Sequence, residues 1–329
     1  MRTALARHAQ KVDFSAKERL PGLVPEQALV MPSRVARTAM VLCAGLGTRL
    51  RPLTLELPKP LLPVGDRSLV HHIADRLAAA GMTGLVLNTH YRPEAFARAE
   101  LETLPLPAVL LHEPEILGTA GGVANAKAAL GPGSVLVWNG DILADLDLGE
   151  LLRAHGESGA DATLAACPRP GNTGTIGLDD RGRIVRLRAE RYGTEASSAD
   201  FVGVQVISPA LLRRLPARGC LVGDLYQPAI RAGAVVCALP LVSAWSDIGT
   251  AASYLEANLS WLRAAKLGSY VAPGASVAAE IELREAVLGA GASISGQGLV
   301  RRVVLWPGAR AQAPLESAIV TTAGITLKL

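Results

Sequence analysis

From Ala39 onward the chain alternates short apolar runs with amphipathic stretches. Ala39 to Cys43 reads as a buried strand, Leu69 to Ala80 as a helix stopped by Gly81, Leu85 to Asn88 as a strand, and a second helix follows Pro93. The unit repeats with strand Ala108 to Leu111, helix Gly122 to Leu130, strand Val135 to Trp138 and helix Leu148 to His155. Leu69, Val70, Ile73 and Leu77 fall on one helical face, whereas each strand is an unbroken apolar run. Repeated strand–helix units predict an α/β fold whose sheet is mostly parallel and covered by helices. Ligands of such sheets bind beyond the carboxyl ends of the strands, so the loops after Cys43 and after Trp138 become neighbours.

After Thr163 the predicted strands are shorter and less regular: Thr175 to Leu178, Ile184 to Leu187 and Phe201 to Ile207, followed by a helix near Thr250 to Leu262. From about Gly268 the pattern changes again. Val271, Val277 and Leu283 recur every six residues among Gly, Ala, Ser and Pro, which suggests a short, imperfect hexapeptide parallel β-helix; a Gly/Ala-rich β meander is the alternative. Residues 1–37 have no sustained period and contain Pro21, Pro25 and Pro32, so they read as an extension outside the fold. The expected division is therefore 1–37, 38–265 and 266–329.

Composition narrows the class. The 329 residues are 50% hydrophobic but only 4% aromatic, which implies a large core of Ala, Val and Leu. The net charge of +4 resides in residues 1–37, with seven Lys/Arg against three Asp/Glu; the rest balances at 26 against 26. A nucleic-acid surface is thus not expected, and any phosphate chemistry must come from local cations. The longest uncharged apolar stretch, Ala232 to Trp245, is interrupted by Gly233 and Pro240 and falls short of the ~18 residues a membrane span needs. Asp13, Glu18 and Glu26 argue against a targeting peptide, and Cys43, Cys167, Cys220 and Cys237 have no metal or redox spacing. The expectation is a cytoplasmic protein whose cysteines are small buried hydrophobes. The six histidines show no zinc spacing either.

The candidate chemistry begins at Gly45-Leu46-Gly47-Thr48-Arg49, continues through Leu50-Arg51-Pro52-Leu53-Thr54, and ends in Pro58-Lys59-Pro60-Leu61-Leu62-Pro63-Val64-Gly65. Small residues after a strand let backbone N–H groups approach phosphate oxygens, and Arg49 and Lys59 supply charge for a departing pyrophosphate. No Gly-Lys-Ser/Thr follows, and a third dinucleotide-type Gly is missing. Asn139-Gly140-Asp141 ends another strand, where a carboxylate can hold Mg²⁺ against triphosphate oxygens, although N-G-D is also a common turn. Gly118-Thr119-Ala120-Gly121-Gly122 opens a helix and can face a base or a phosphate. Trp245-Ser246-Asp247-Ile248-Gly249-Thr250 precedes a helix, which also makes Asp247 a capping neighbour.

Taken in order, these segments resemble the signature of the sugar nucleotidyltransferases, the sugar-1-phosphate pyrophosphorylases that make NDP-sugars. The resemblance covers residues 39 to about 265 strongly and the tail loosely. It implies a Rossmann-like, doubly wound mixed sheet of GT-A-like type with a short C-terminal left-handed parallel β-helix, a surface for self-association. It implies Mg²⁺ bound by Asp141 and Asp247, with Arg49, Lys59 and Asp141 catalytic and an NTP and a sugar 1-phosphate as substrates. Leu42, Ala44, Gly45, Gly47, Thr48, Gly118 and Thr119 would bind the nucleotide. Gly177, Gly203 and Asp224 fall where relatives contact the sugar. The Glu-Lys-Pro segment by which many relatives grip the sugar phosphate is absent; Glu190-Arg191-Tyr192 stands nearest, which makes Glu190 and Arg191 the candidate sugar-phosphate residues with Arg191 as a substitute clamp, although a guanidinium is not equivalent to an ammonium at a phosphate. Gly-Thr-Ala-Gly-Gly combined with a C-terminal β-helix is most similar to mannose-1-phosphate guanylyltransferases, hence GDP-mannose. The alternatives are uridylyl or thymidylyl transfer to a glucose or N-acetylmuramate type of sugar 1-phosphate, and a regulatory paralogue that binds NDP-sugar without turnover.

Overall fold

The computed structural model describes residues 35–96, 101–171, 173–242 and 244–329, so the expected N-terminal extension lies outside the described residues except for its last three. Strand Thr38–Leu42 runs parallel between Val135–Asn139 and Gly84–Thr89, and Ala108–His112 adds a further parallel strand beyond the latter. Its alternate side chains serve two cores. Ala39 and Val41 pack with helix Leu69–Ala79 through Leu69, Val70, Ile73 and Leu77, while Met40 packs with Ala120, Val123 and Ala126 of helix Gly118–Leu130. A strand buried on both faces must be apolar throughout, which is why it reads as an unbroken run.

Beyond Val135–Asn139 the same sheet turns antiparallel. Ser197–Ile207 pairs with Val135–Asn139, Ala162–Arg169 and Ile176–Leu178, and Ile184–Leu187 and Glu190–Arg191 continue to the edge. Val236–Leu239 pairs parallel with Ala162–Arg169, giving ten strands among the described residues. The mixed, doubly wound sheet expected from the sequence is therefore present, with additions. Ala162–Arg169, Val236–Leu239 and the antiparallel pair Ile142–Asp145 with Ala244–Asp247 are strands the sequence pattern did not single out, and the helix expected from Gly122 starts at Gly118.

In the C-terminal part, Tyr270–Val271, Ile281–Leu288, Ser293–Leu305 and Arg310–Val320 pair in parallel succession, and Thr326–Lys328 closes the sheet antiparallel. Ser276 pairs with Ser293 and Ser293 with Arg310, steps of 17 residues. This stacking is compatible with a β-helix. The buried positions are not the six-residue trio, since Val271 is exposed and Val277 and Leu283 are only partly covered. Burial falls instead on Ala286 to Leu288, Val303 to Trp306 and Ala318 to Val320. These side chains share one hydrophobic cluster with Leu53, Leu61, Leu62 and Val64, and the described residues from 35 on form one compact unit.

Candidate active site

The sheet reverses its order of addition at Thr38–Leu42: the chain moves outward to Gly84–Thr89 and Ala108–His112, then returns to the opposite side at Val135–Asn139. The crevice at the carboxyl ends of the two central strands is where a ligand is expected. There Gly140 N–H donates to Leu42 O at 2.9 Å, which fixes the Asn139-Gly140-Asp141 turn beside the loop that starts at Cys43.

Asp141 and Asp247 arrive together through strand pairing. Asp247 lies opposite Ile142, and Ile248 N–H donates to Asp141 O at 3.0 Å. Lys59 Nζ contacts Asp141 Oδ2 at 2.7 Å and Asp247 Oδ1 at 3.7 Å. The Arg49 guanidinium lies beside Gly249, close enough that a Cβ there would sit 3.2 Å from it. Four charged residues from three distant segments thus converge.

The glycine-rich turn has a local cause. Gly47 adopts φ +62°, and Thr54 Oγ1 donates to its carbonyl at 2.8 Å; a Cβ at Gly47 would meet Thr54 Cγ2 at 2.7 Å. Only glycine satisfies both the left-handed backbone and the close approach. Gly45, Thr48 and Arg49 remain exposed around it, with Ala44 and Leu50 buried beneath.

On the other side, Gly118 and Thr119 lie against the 219–224 segment. Ala120 N–H donates to Gly219 O, Gly219 N–H to Leu117 O, and Thr119 Oγ1 accepts from Leu221 N–H at 2.8 Å. Asp224 Oδ2 in turn accepts from Cys220 N–H at 2.6 Å. Gly203, adjacent to the Val204–Trp138 pair, sits close against Asn139, so it joins the site by way of the central strand.

The remaining candidates lie toward the sheet edge. Gly177 pairs with Arg186, whose guanidinium forms a two-pronged ion pair with the buried Glu195, and Arg191 reaches the same carboxylate at 3.2 Å. Glu190 accepts hydrogen bonds from Arg231, Gln227 and Tyr192, and Arg231 holds its carboxyl below the usual range.

A buried polar network was not singled out by the sequence. Asn88 Oδ1 accepts from Cys43 N–H at 2.8 Å, Asn88 Nδ2 donates to Glu113 Oε1 at 2.7 Å, and Glu113 Oε2 accepts from Leu117 N–H at 3.1 Å. It ties the loops after three parallel strands to one another. An Asn ending an apolar strand and a Glu shortly before Leu-Gly-Thr-Ala-Gly were its sequence signals. The cysteines divide two and two: Cys43 and Cys167 are buried, as expected, whereas Cys220 and Cys237 are half-buried. Burial, reinforced by the charge of Asp141, pushes the Cys43 thiol far up, so it is an inert wall of the site.

Oxygen donors on two adjacent carboxylates suit a hard divalent cation, and the ammonium of Lys59 shows that positive charge is accepted between them. Among the described residues no cluster of three His, Cys, Asp or Glu forms, so a cation here would take its further ligands from substrate and water.

A mixed α/β sheet whose switch point collects two aspartates, two cations and a glycine-rich turn defines a phosphate-handling enzyme of nucleotidyltransferase type. Residues 38–263 match the family described as nucleotidyl transferase, and the chain belongs to that family. It is 31% identical over 300 residues to the mannose-1-phosphate guanylyltransferase of Mycobacterium tuberculosis, covering 84% of this chain and 81% of that one. A probable mannose-1-phosphate guanylyltransferase 1 of Oryza sativa subsp. japonica is 31% identical over 268 residues, with 78% and 74% covered. In structure it is similar to HddC of Yersinia pseudotuberculosis complexed with GMP-PN, with TM-score 0.58 and 20% identity over 68% of this chain and 99% of that one, a likeness of fold.

Proposed function

We propose that this chain transfers a nucleotidyl group from an NTP to a hexose 1-phosphate with release of pyrophosphate, and that GTP and mannose 1-phosphate are its substrates. The observation that carries the reading is the meeting of Lys59 with Asp141 and Asp247 beside Arg49 at the switch point. The guanylyltransferase names of the relatives, at about 30% identity over most of both chains, support the choice of base and sugar.

A sugar phosphate is already an anionic nucleophile at neutral pH, so the reaction needs positioning and charge rather than a general base. Arg49 and Lys59 stabilise the charge that gathers on the β- and γ-phosphates as pyrophosphate leaves. Asp141 and Asp247 would hold Mg²⁺, which supplies neutralisation between the two reacting anions. The backbone of the 44–48 turn cradles phosphates, and the Asn88–Glu113 network holds that turn against Gly118 and Thr119. The free thiols agree with a cytoplasmic setting, and no helix among the described residues is long and apolar enough to cross a membrane.

Pyrophosphate release measured with Mg²⁺ across a matrix of NTPs and sugar 1-phosphates tests the reading. The expected maximum is at GTP with mannose 1-phosphate. A maximum at UTP or dTTP would retain the reaction and overturn the substrates, and silence in every combination would overturn the enzyme.

A further inference from the structure

Lys59 sits on a short 3-10 turn, Lys59–Leu61, in a segment where prolines 58, 60 and 63 have no N–H to donate. Its local backbone hydrogen bonds are few: Leu61 N–H to Pro58 O, Leu62 N–H to Lys59 O and, from the short hairpin that follows, Leu69 N–H to Leu62 O. Further support is remote. On the C-terminal side, the Pro63 carbonyl accepts from the Tyr254 hydroxyl at 2.5 Å, and that hydroxyl accepts from Trp306 Nε1–H at 2.9 Å. Two residues on, Gly65 N–H donates to the fully buried Asn258 at 2.9 Å under the ring of Trp261, which meets Tyr270 edge-on at 5.2 Å. On the N-terminal side, Glu56 Oε2 accepts from Ala323 N–H at 3.1 Å. Leu61 and Leu62 between these points share their hydrophobic cluster with Val304, Trp306 and Ile319.

Tyr254 and Trp306 are fully buried, and burial keeps the phenol protonated well above its ordinary range, so the relay persists across the working pH. The helix Ala251–Ala264 that bears Tyr254 also begins four residues after Asp247, behind its cap Thr250. One helix packed against the C-terminal strands thus holds the lysine segment through Tyr254 and Asn258 and follows closely in sequence on the second carboxylate.

We propose that the C-terminal strands are a positioning element of the active centre: Trp306 and Tyr254 at one end of the 56–65 segment, and the Ala323–Glu56 contact at the other, fix Lys59. Its kinetic consequence rests on the nucleotidyl-transfer reading; its structural consequence does not. A lysine aimed at charge that develops in the transition state affects turnover more than ground-state binding when it is displaced.

The test compares Trp306→Phe and Tyr254→Phe with the wild type by kcat, KM for the NTP, thermal unfolding, and amide hydrogen exchange at Leu61, Leu62 and Val64. Expected are a fall in kcat of about tenfold with KM nearly constant, and faster exchange at those three amides while strand Gly84–Thr89 is unchanged. Should either variant fail to fold, Glu56→Ala loosens the half-exposed end and is read the same way. A folded variant with lowered melting temperature but wild-type kcat and wild-type exchange at Leu61 and Leu62 would overturn the proposal, because a purely structural role predicts that pattern. If the wild type releases no pyrophosphate from any substrate pair, the functional reading fails, and the exchange data alone decide the positioning.

Discussion

The ammonium of Lys59, 2.7 Å from one aspartate and 3.7 Å from another, links three segments that lie far apart in sequence. Asp141→Asn leaves the turn intact but removes the charge. The expected result is a loss of kcat of about 10²–10³, measured by pyrophosphate release at saturating substrates, with little change in melting temperature because the side chain is partly exposed. Asp141 and Asp247 were legible as motif residues, since each follows an apolar run with a fixed turn sequence. Lys59 was legible as a motif residue too, but its bridging of the two was not, because no local pattern shows which carboxylates a side chain some eighty residues away will meet. A different residue governs pH stability. His155 is buried between Thr163 and Ser134, and burial pulls its pKa down to about 4. The unfolded imidazole titrates near 6.5, so the unfolded chain binds the extra proton between about pH 4 and 6.5. Stability contributed here is complete above about pH 6.5 and is lost as pH falls through that window. Melting temperatures from pH 7 to 4.5 should decline less steeply in His155→Gln than in the wild type.

Among the elements, helix Ala251–Ala264 has the clearest local instruction. Thr250 Oγ1 accepts from Ser253 N–H and the Ser253 hydroxyl accepts from Thr250 N–H, a reciprocal cap. Thr250→Ala should cost about 1 kcal/mol, seen as a drop of about 2 °C in melting temperature. The Gly-Thr start of this helix was readable in sequence, as were the four parallel strands, because each is an apolar run bounded by turn residues. Ile142–Asp145 and Ala244–Asp247 were not, since four-residue strands next to N-G-D and W-S-D look like loops until they pair with each other. Ala162–Arg169 was hidden for another reason: its buried part is Ala, Leu and Cys with a single Thr, without alternation and with few strong β-formers, and it ends in Pro168 and Arg169.

For the whole molecule, the continuous cluster from Leu53 through Trp306 to Val320 predicts cooperative behaviour. Calorimetry of the full chain should show one transition spanning residues on both sides of position 265, and a chain ending at 265 should lose that transition, because Leu61, Leu62 and Tyr254 would be left facing water. The six-residue period in the tail was a guide to the presence of stacked strands but not to their inward residues, which follow the 17-residue pairing step.

The contacts that fix the lysine segment also have a consequence in time. They join residues 191, 193 and 267 positions apart. Closing such long loops is entropically slow and is repaid only when the last partner is in place. During synthesis the parallel strands can therefore assemble early, yet the loop that bears Lys59 stays unset until residues 306 and 323 have emerged. A nascent chain of this protein acquires its shape before it acquires its chemistry.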